Sequence, residues 1–196
     1  STINASLTEA LFSDRLLAKR VEPYGLFWIE DPLRHENLQC MARLREQTPI
    51  PLALGERLHS KWEFRELVVN NYVNYLRPDI CHCGGISEIK KIAALAETFF
   101  VNVIPHNTQG PLGTAASLHA SLAIPNVVLL EAPWSRGLPL PGIVGPWPKV
   151  EQGYALPLEG PGLGIEFDEA AAEAGKFVPH PTGFYLKALD GAIRDW

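Results

Sequence analysis

The chain has 196 residues, 46% of them hydrophobic and 20% charged, with a formal net charge of −5 at pH 7. That is enough for one domain with a sizeable core, and the sign argues against nucleic acid or an anionic membrane surface as partner. No apolar run approaches the ~18–20 residues of a membrane-spanning helix, and Ser1 opens no basic, apolar, small-residue signal pattern. Three cysteines, an odd number, suit a reducing compartment better than a disulfide scaffold, so a cytoplasmic location is expected.

Residues 1–5 read as part of a strand. Leu7, Leu11, Leu16, Leu17 and Val21 recur at helical spacing, and Pro23 stops that helix. Tyr24 to Ile29 reads as an apolar strand closed by Glu30-Asp31-Pro32. A helix follows over Glu36 to Arg45, then a strand over Pro51 to Leu54 closed by Gly55-Glu56-Arg57. Lys61 to Val69 is helical, and Tyr72 to Leu76 is a strand leading through Arg77-Pro78 to Asp79. Gly84-Gly85 turns the chain into a helix over Ser87 to Thr98. Val101 to Pro105 is a short β-branched strand that ends on His106. A helix from about Leu112 to Leu122 and a last strand over Asn126 to Leu130, closed by Glu131, complete the series.

Beyond Trp134 the composition changes. Gly137 to Pro148 is rich in Gly and Pro and reads as a loop or lid. Glu151-Gln152-Gly153-Tyr154 is a turn into a short strand, and Gly160 to Gly164 is another turn. Asp168 is placed to cap a helix over Glu169 to Gly175. The final twenty residues carry no clear signal. Cys81-His82-Cys83 matches no usual zinc spacing, and strand alternation would turn His82 away from both thiols.

The repeat is a βα unit at intervals of about 25 residues, with nearly continuous apolar strands. Such alternation predicts a parallel sheet with helices outside. A doubly wound sheet and a (β/α) barrel both fit. The polar residues favour the barrel, because Glu30, Glu56, Asp79, His106 and Glu131 each lie just past a strand and would ring one mouth. An open sheet would gather its site at one switch point. A full barrel of this kind takes about 250 residues. The expected fold is therefore α/β, a partial TIM-type barrel of about six parallel strands, the third to eighth, over residues 1–134. Residues 135–196 are expected to form a separate C-terminal segment.

At that mouth, Glu30 and Glu56 make a hard oxygen pair suited to magnesium. His106 needs a partner to hold its tautomer, and Asp79, one strand earlier at the same height, is the candidate. A nearby anion favours the imidazolium and so makes the ring a better proton acceptor. Glu131 faces the same space and could hydrogen-bond a polar substrate. A metal with a positioned base is the equipment for removing a proton α to a carboxylate, the ion stabilising the enediolate.

At these residues the chain resembles the enolase superfamily in its mandelate racemase-like branch, nearest to sugar-acid dehydratases of the galactonate dehydratase type. The motifs are Trp28-Ile29-Glu30-Asp31-Pro32, Gly55-Glu56-Arg57, Arg77-Pro78-Asp79, Gly84-Gly85-Ile86, Pro105-His106-Asn107 and Glu131, over about Ile3 to Phe167. The resemblance implies Mg²⁺ held by Glu30 and Glu56, an acid–base pair of Asp79 and His106, and substrate contacts from Glu131 and Arg57. It also implies a C-terminal segment that returns toward a capping domain. The implied substrate is a small-molecule acid sugar, dehydrated to a 2-keto-3-deoxy acid, and a homo-oligomer is expected. Two positions depart from the pattern. The family's first metal ligand is an Asp, where this chain has Asn4, an uncharged and therefore weaker ligand. A His that assists the leaving group is replaced by Ser6, so either His106 serves both steps or the reaction differs. A racemase or epimerase using the same pair is the nearest alternative, and a non-catalytic barrel fragment is the alternative from another class.

Overall fold

The computed structural model describes residues 15–132 and 142–175, together with the backbone of 186–187 and 193–194. Helix α1 occupies residues 15–21 and buries Ala18. A 3₁₀ turn over Glu22–Tyr24 follows, with Pro23 at its start and Gly25 at φ 61° as its left-handed cap. Pro and Gly are suited to those two positions. They commit Tyr24 and Gly25 to a helix end, so the expected strand from Tyr24 begins only at Ile29.

Four short strands form one parallel sheet: β1 (Ile29–Glu30), β2 (Leu52–Leu54), β3 (Tyr75–Leu76) and β4 (Asn102–Val103). Their order in space is their order in the chain. Ile29 pairs with Leu52, Ala53 with Tyr75, and Tyr75 with Asn102. The sheet therefore has no reversal of strand order, and every strand delivers its carboxyl end to the same side. The expected strand over Asn126 to Leu130 is reduced to one bridge, Val103 to Val127. The Val103 N–H donates to the Asn126 carbonyl at 2.8 Å, and the Val128 N–H donates to the Val103 carbonyl at 3.1 Å. Residues 1–14, with their expected strand, Asn4 and Ser6, lie outside the described residues.

Each crossover is a helix whose apolar stripe faces the sheet. Helix α2 (Leu38–Arg45) buries Met41 and Leu44, three residues apart, and its first turn is capped by the Asn37 side chain accepting from the Cys40 N–H at 3.2 Å. Helix α3 (Lys61–Val69) buries Phe64, Leu67 and Val68. Helix α4 (Gly85–Glu97) buries Ile89, Ile92, Ala93 and Ala96, and starts two residues earlier than Ser87 because left-handed Gly84 already serves as its N-cap. Helix α5 (Pro111–Leu122) opens on a proline whose missing N–H is one the first turn leaves unbonded anyway. These side chains meet Leu52, Leu54, Leu76 and Val103 in one core. Phe64 is fully buried, and truncating it to Ala would cost about 3–5 kcal/mol.

The later segment is built from small antiparallel pairs. Strand β5 (Val144–Gly145) pairs with β8 (Glu166–Phe167), and β6 (Val150–Glu151) with β7 (Tyr154–Ala155). The expected turn between β6 and β7 places Gln152 and Gly153 at φ 51° and 85°, the left-handed geometry a two-residue hairpin needs. Asp168 caps α6 (Glu169–Ala174) by accepting from the Ala171 N–H at 2.8 Å. A last antiparallel pair, β9 (Leu186–Lys187) with β10 (Ile193–Arg194), lies where the sequence offers no signal. The His119 ring on α5 bonds the Leu163 carbonyl at 3.0 Å, which ties this segment to the sheet's outer helices. Among the described residues no helix is long and apolar enough to cross a membrane.

Candidate active site

The strand ends bring the polar residues of the motifs together. Glu30 closes β1, Glu56 follows β2 after one glycine, Asp79 follows β3, and His106 follows β4. Gly55 sits at φ +145°, and a Cβ there would lie 2.7 Å from Phe64 Cε1 and 3.0 Å from the Arg77 backbone nitrogen. Its bare α-carbon lets β2 leave the sheet between α3 and β3 and present Glu56 on the rim. The ladder continues one step beyond β3 and β4, with Asp79 bridging to His106 and the His106 N–H donating to the Pro78 carbonyl at 3.1 Å.

His106 is the centre of the cluster. Its Nδ1 lies 2.8 Å from Asp79 Oδ2 and its Nε2 lies 3.2 Å from Glu56 Oε2. Asp79 is fully buried, and it takes two further donors, the Cys81 N–H at 2.7 Å on Oδ1 and Gln109 Nε2 at 2.9 Å on Oδ2. Burial pushes the Asp79 carboxyl up, but the bonds from His106, Gln109 and Cys81 outweigh it and hold the group below the usual range. Burial likewise pushes the imidazole down. The bond to Asp79 and the charges of Glu131 and Glu56 overcome that, so the ring holds its proton more firmly than a free histidine.

Arg77 ties the opposite side. Its guanidinium, with a side chain only 4% exposed, donates from Nε to Glu30 Oε1 at 2.7 Å and from Nη2 to Glu131 Oε2 at 2.6 Å. Nη1 donates to the Ile104 carbonyl at 3.1 Å, and the group lies 5.9 Å from the Trp28 ring centroid. Glu131 also accepts from the Asn107 N–H at 3.2 Å, and its carbonyl accepts from the Asn107 amide at 3.0 Å. Arg57 lies against Glu56, with Nε 3.6 Å from Oε1. His106, Glu56 and Arg57 all open onto one cleft of about 650 Å³, whose other walls include His59, His82 and Thr108.

Arg77, Asp31, Asn107 and Gln109 have no role expected from sequence, yet all four stand in this cluster. For Arg77 a signal existed: it stands two residues before Asp79, the spacing that puts two strand residues on one face. Asp31 sits at φ 42°, and its Oδ1 is buried with no hydrogen-bond partner among the described residues. Burial, then the charges of Glu56 and Glu30, push its carboxyl up to about 7. An orphaned acid oxygen beside Glu30 and Glu56 is a hard donor at which a small dication could take the place of the proton, so the donor chemistry fits magnesium. Glu30 is engaged by Arg77 and Glu56 by His106, and among the described residues no three His, Cys, Asp or Glu side chains are placed to hold an ion. The third expected donor, Asn4, lies outside the described residues. Cys83 is buried and its thiol is pushed up to about 12, chiefly by burial, so it is no nucleophile.

Residues 5–171 match the family described as enolase C-terminal domain-like. The D-galactonate dehydratase of Cronobacter sakazakii is 40% identical over 189 residues, which cover 93% of this chain and 50% of that protein. The D-galactonate dehydratase of Ralstonia pickettii is 35% identical with the same coverage. The chain thus spans about half the length of the curated relatives it matches. The crystal structure of an enolase from Agrobacterium radiobacter, bound to sodium and L-malate, superimposes with a TM-score of 0.83 at 34% identity, covering 93% of this chain and 50% of that one. A mandelate racemase/muconate lactonizing enzyme from Jannaschia sp. superimposes with a TM-score of 0.77 at 33% identity, covering 87% and 43%. With the family matched over residues 5–171, the chain belongs to the enolase C-terminal domain-like family.

Proposed function

We propose that this chain is the barrel portion of a magnesium-dependent sugar-acid dehydratase. Residues 1–134 supply the third to eighth strands of a TIM-type barrel, and residues 135–196 return toward a capping domain. Support for the barrel comes from the unreversed strand order and from the similarity to solved enolases over their matching half. Support for the reaction comes from relatives named D-galactonate dehydratases.

In this reading Glu30 and Glu56, with Asn4 as a weak third donor, hold one Mg²⁺. When bound, the ion supplies positive charge against the substrate carboxylate as the α-proton leaves. The rest is done by side chains. Asp79 stays anionic and keeps the proton on His106 Nδ1, which leaves Nε2 as the base. Nε2 takes the α-proton, and the electron pair of that C–H bond becomes the enediolate. The β-hydroxyl then departs with the proton returned from His106, leaving as water, and the enol rearranges to the 2-keto-3-deoxy acid. Glu131 and Arg57 orient the hydroxyls and carboxylate of the substrate.

One observation carries this reading: the 2.8 Å contact between His106 Nδ1 and a fully buried Asp79, with Nε2 left facing the rim carboxylate Glu56. The test is incubation with Mg²⁺ and D-galactonate in deuterated water. Keto acid formation supports the dehydratase. Deuterium at the α-carbon without keto acid would instead indicate a racemase, and neither product would leave a non-catalytic fragment.

A further inference from the structure

The loop after His106 grips Asp79 a second time. Asp79 Oδ2 accepts from His106 Nδ1 at 2.8 Å and from Gln109 Nε2 at 2.9 Å, so one oxygen serves two donors. The carboxylate is fully buried and Oδ1 is occupied by the Cys81 N–H, which fixes its plane. A glutamine side chain has several free torsions and would not hold such a position unaided. Here α5 seats it. A Cβ on Gly113 would lie 2.6 Å from Gln109 Cβ and 3.1 Å from Cys81 Sγ, so the side chain fits only because the helix is bare at that point. The Thr114 hydroxyl, one residue on, donates to the Gln109 carbonyl at 3.3 Å and fixes the backbone as well.

We propose that Gln109 is a positioning residue for the His106–Asp79 pair, and that Gly113 is the socket that seats it. Two donors on one oxygen divide its accepting capacity. Gln109 therefore holds the carboxylate in place while keeping the imidazole from claiming all of Oδ2, so the bond that orients His106 has a set strength. The functional meaning of that bond rests on the dehydratase reading; the bond-sharing itself does not.

The test uses the whole chain, ¹⁵N-labelled at histidine, without metal or substrate. It follows the His106 Nδ1–H proton by NMR, so it is independent of turnover. In Gln109→Met, which keeps the stem and removes the donor, the resonance moves downfield as the His106 bond to Oδ2 strengthens. Gly113→Ala, which leaves the amide intact but displaces it, produces the same shift, and the double variant shows no more than either single. Leu118→Ala, a core truncation on the same helix, lowers the melting temperature and leaves the resonance in place. A resonance unmoved in Gln109→Met overturns the proposal, as do shifts that add in the double variant. If Gly113→Ala does not fold, Gln109→Met decides alone. Absence of keto acid from the parent with Mg²⁺ and D-galactonate, with the NMR pattern as expected, would refute the functional reading and leave this one standing.

Discussion

Replacing Arg77 by Met tests how the rim is held. The apolar stem is kept, so packing against Trp28 survives in large part, and what goes is the charge. Two carboxylates, Glu30 and Glu131, lose charge-assisted bonds of 2.7 and 2.6 Å, and the Ile104 carbonyl loses its donor. Stripping one partner from a buried ion pair costs about 3–5 kcal/mol. The Glu30 and Glu131 side chains are 28% and 37% exposed, so water takes over part of the lost solvation and the low end, about 3 kcal/mol, is expected. With a urea slope of about 2–3 kcal/mol per molar, the unfolding midpoint should fall by roughly 1 M. The measurement is urea unfolding followed by fluorescence, without metal and then with Mg²⁺. Mg²⁺ should raise the midpoint more in Arg77→Met than in the parent, because a dication takes over the neutralisation of the freed carboxylates. A midpoint lowered by less than about 0.3 M would mean that Arg77 does not hold the rim, and would refute the reasoning.

Four further outcomes are expected. Gly55→Ala forces a side chain into a glycine-only conformation and onto Phe64, and should cost about 3 kcal/mol in urea unfolding while displacing Glu56. In the fold His106 titrates above its usual value, so its pairing stabilises fully below about pH 6.5 and fades as pH rises through the raised value. Asp79 titrates below its usual value, so its contribution is present above about pH 4 and is lost as pH falls through the depressed value. The stability difference between the parent and Asp79→Asn should therefore be largest near pH 5–6 and smaller at pH 9; a flat difference across that range would contradict the pairing. Asp31 keeps its proton in the fold up to about pH 7, so without metal the parent loses stability as pH rises from about 4 to 7, and Asp31→Asn should remove that loss in a midpoint-against-pH series. Asn4→Asp should tighten Mg²⁺ binding measured by calorimetry, and an unchanged affinity would remove Asn4 from the ligand set.

Much of the fold was legible because the βα repeat writes itself in apolar spacing. Phe64, Leu67 and Val68 mark one face of α3, whose bounds match the expected ones, and Asp168 caps α6 as its side-chain chemistry predicts. The rim was legible for the same reason: a residue just past a parallel strand has only one end of the sheet to occupy. Strand limits were less so. Tyr24 is apolar enough for a strand, yet Pro23 and Gly25 around it dictate a helix end. Asn126 to Leu130 has the composition of a strand but, among the described residues, pairs only at Val127, a matter of its neighbours and not of its own residues. Gln109 could not be found from sequence at all, because its role depends on an absent atom on a helix four residues later.

The unreversed strand order has a consequence for how such a protein can change. Each βα unit contributes its own side chain to a common rim, and each of these sits on a loop with its own supporting helix. A substitution at a rim residue that bonds only within its own loop alters a single participant, whereas Arg77, which bonds Glu30, Ile104 and Glu131, ties several units together. New chemistry can thus be reached one unit at a time wherever such cross-ties are absent, with the parallel sheet acting as a fixed chassis for interchangeable parts.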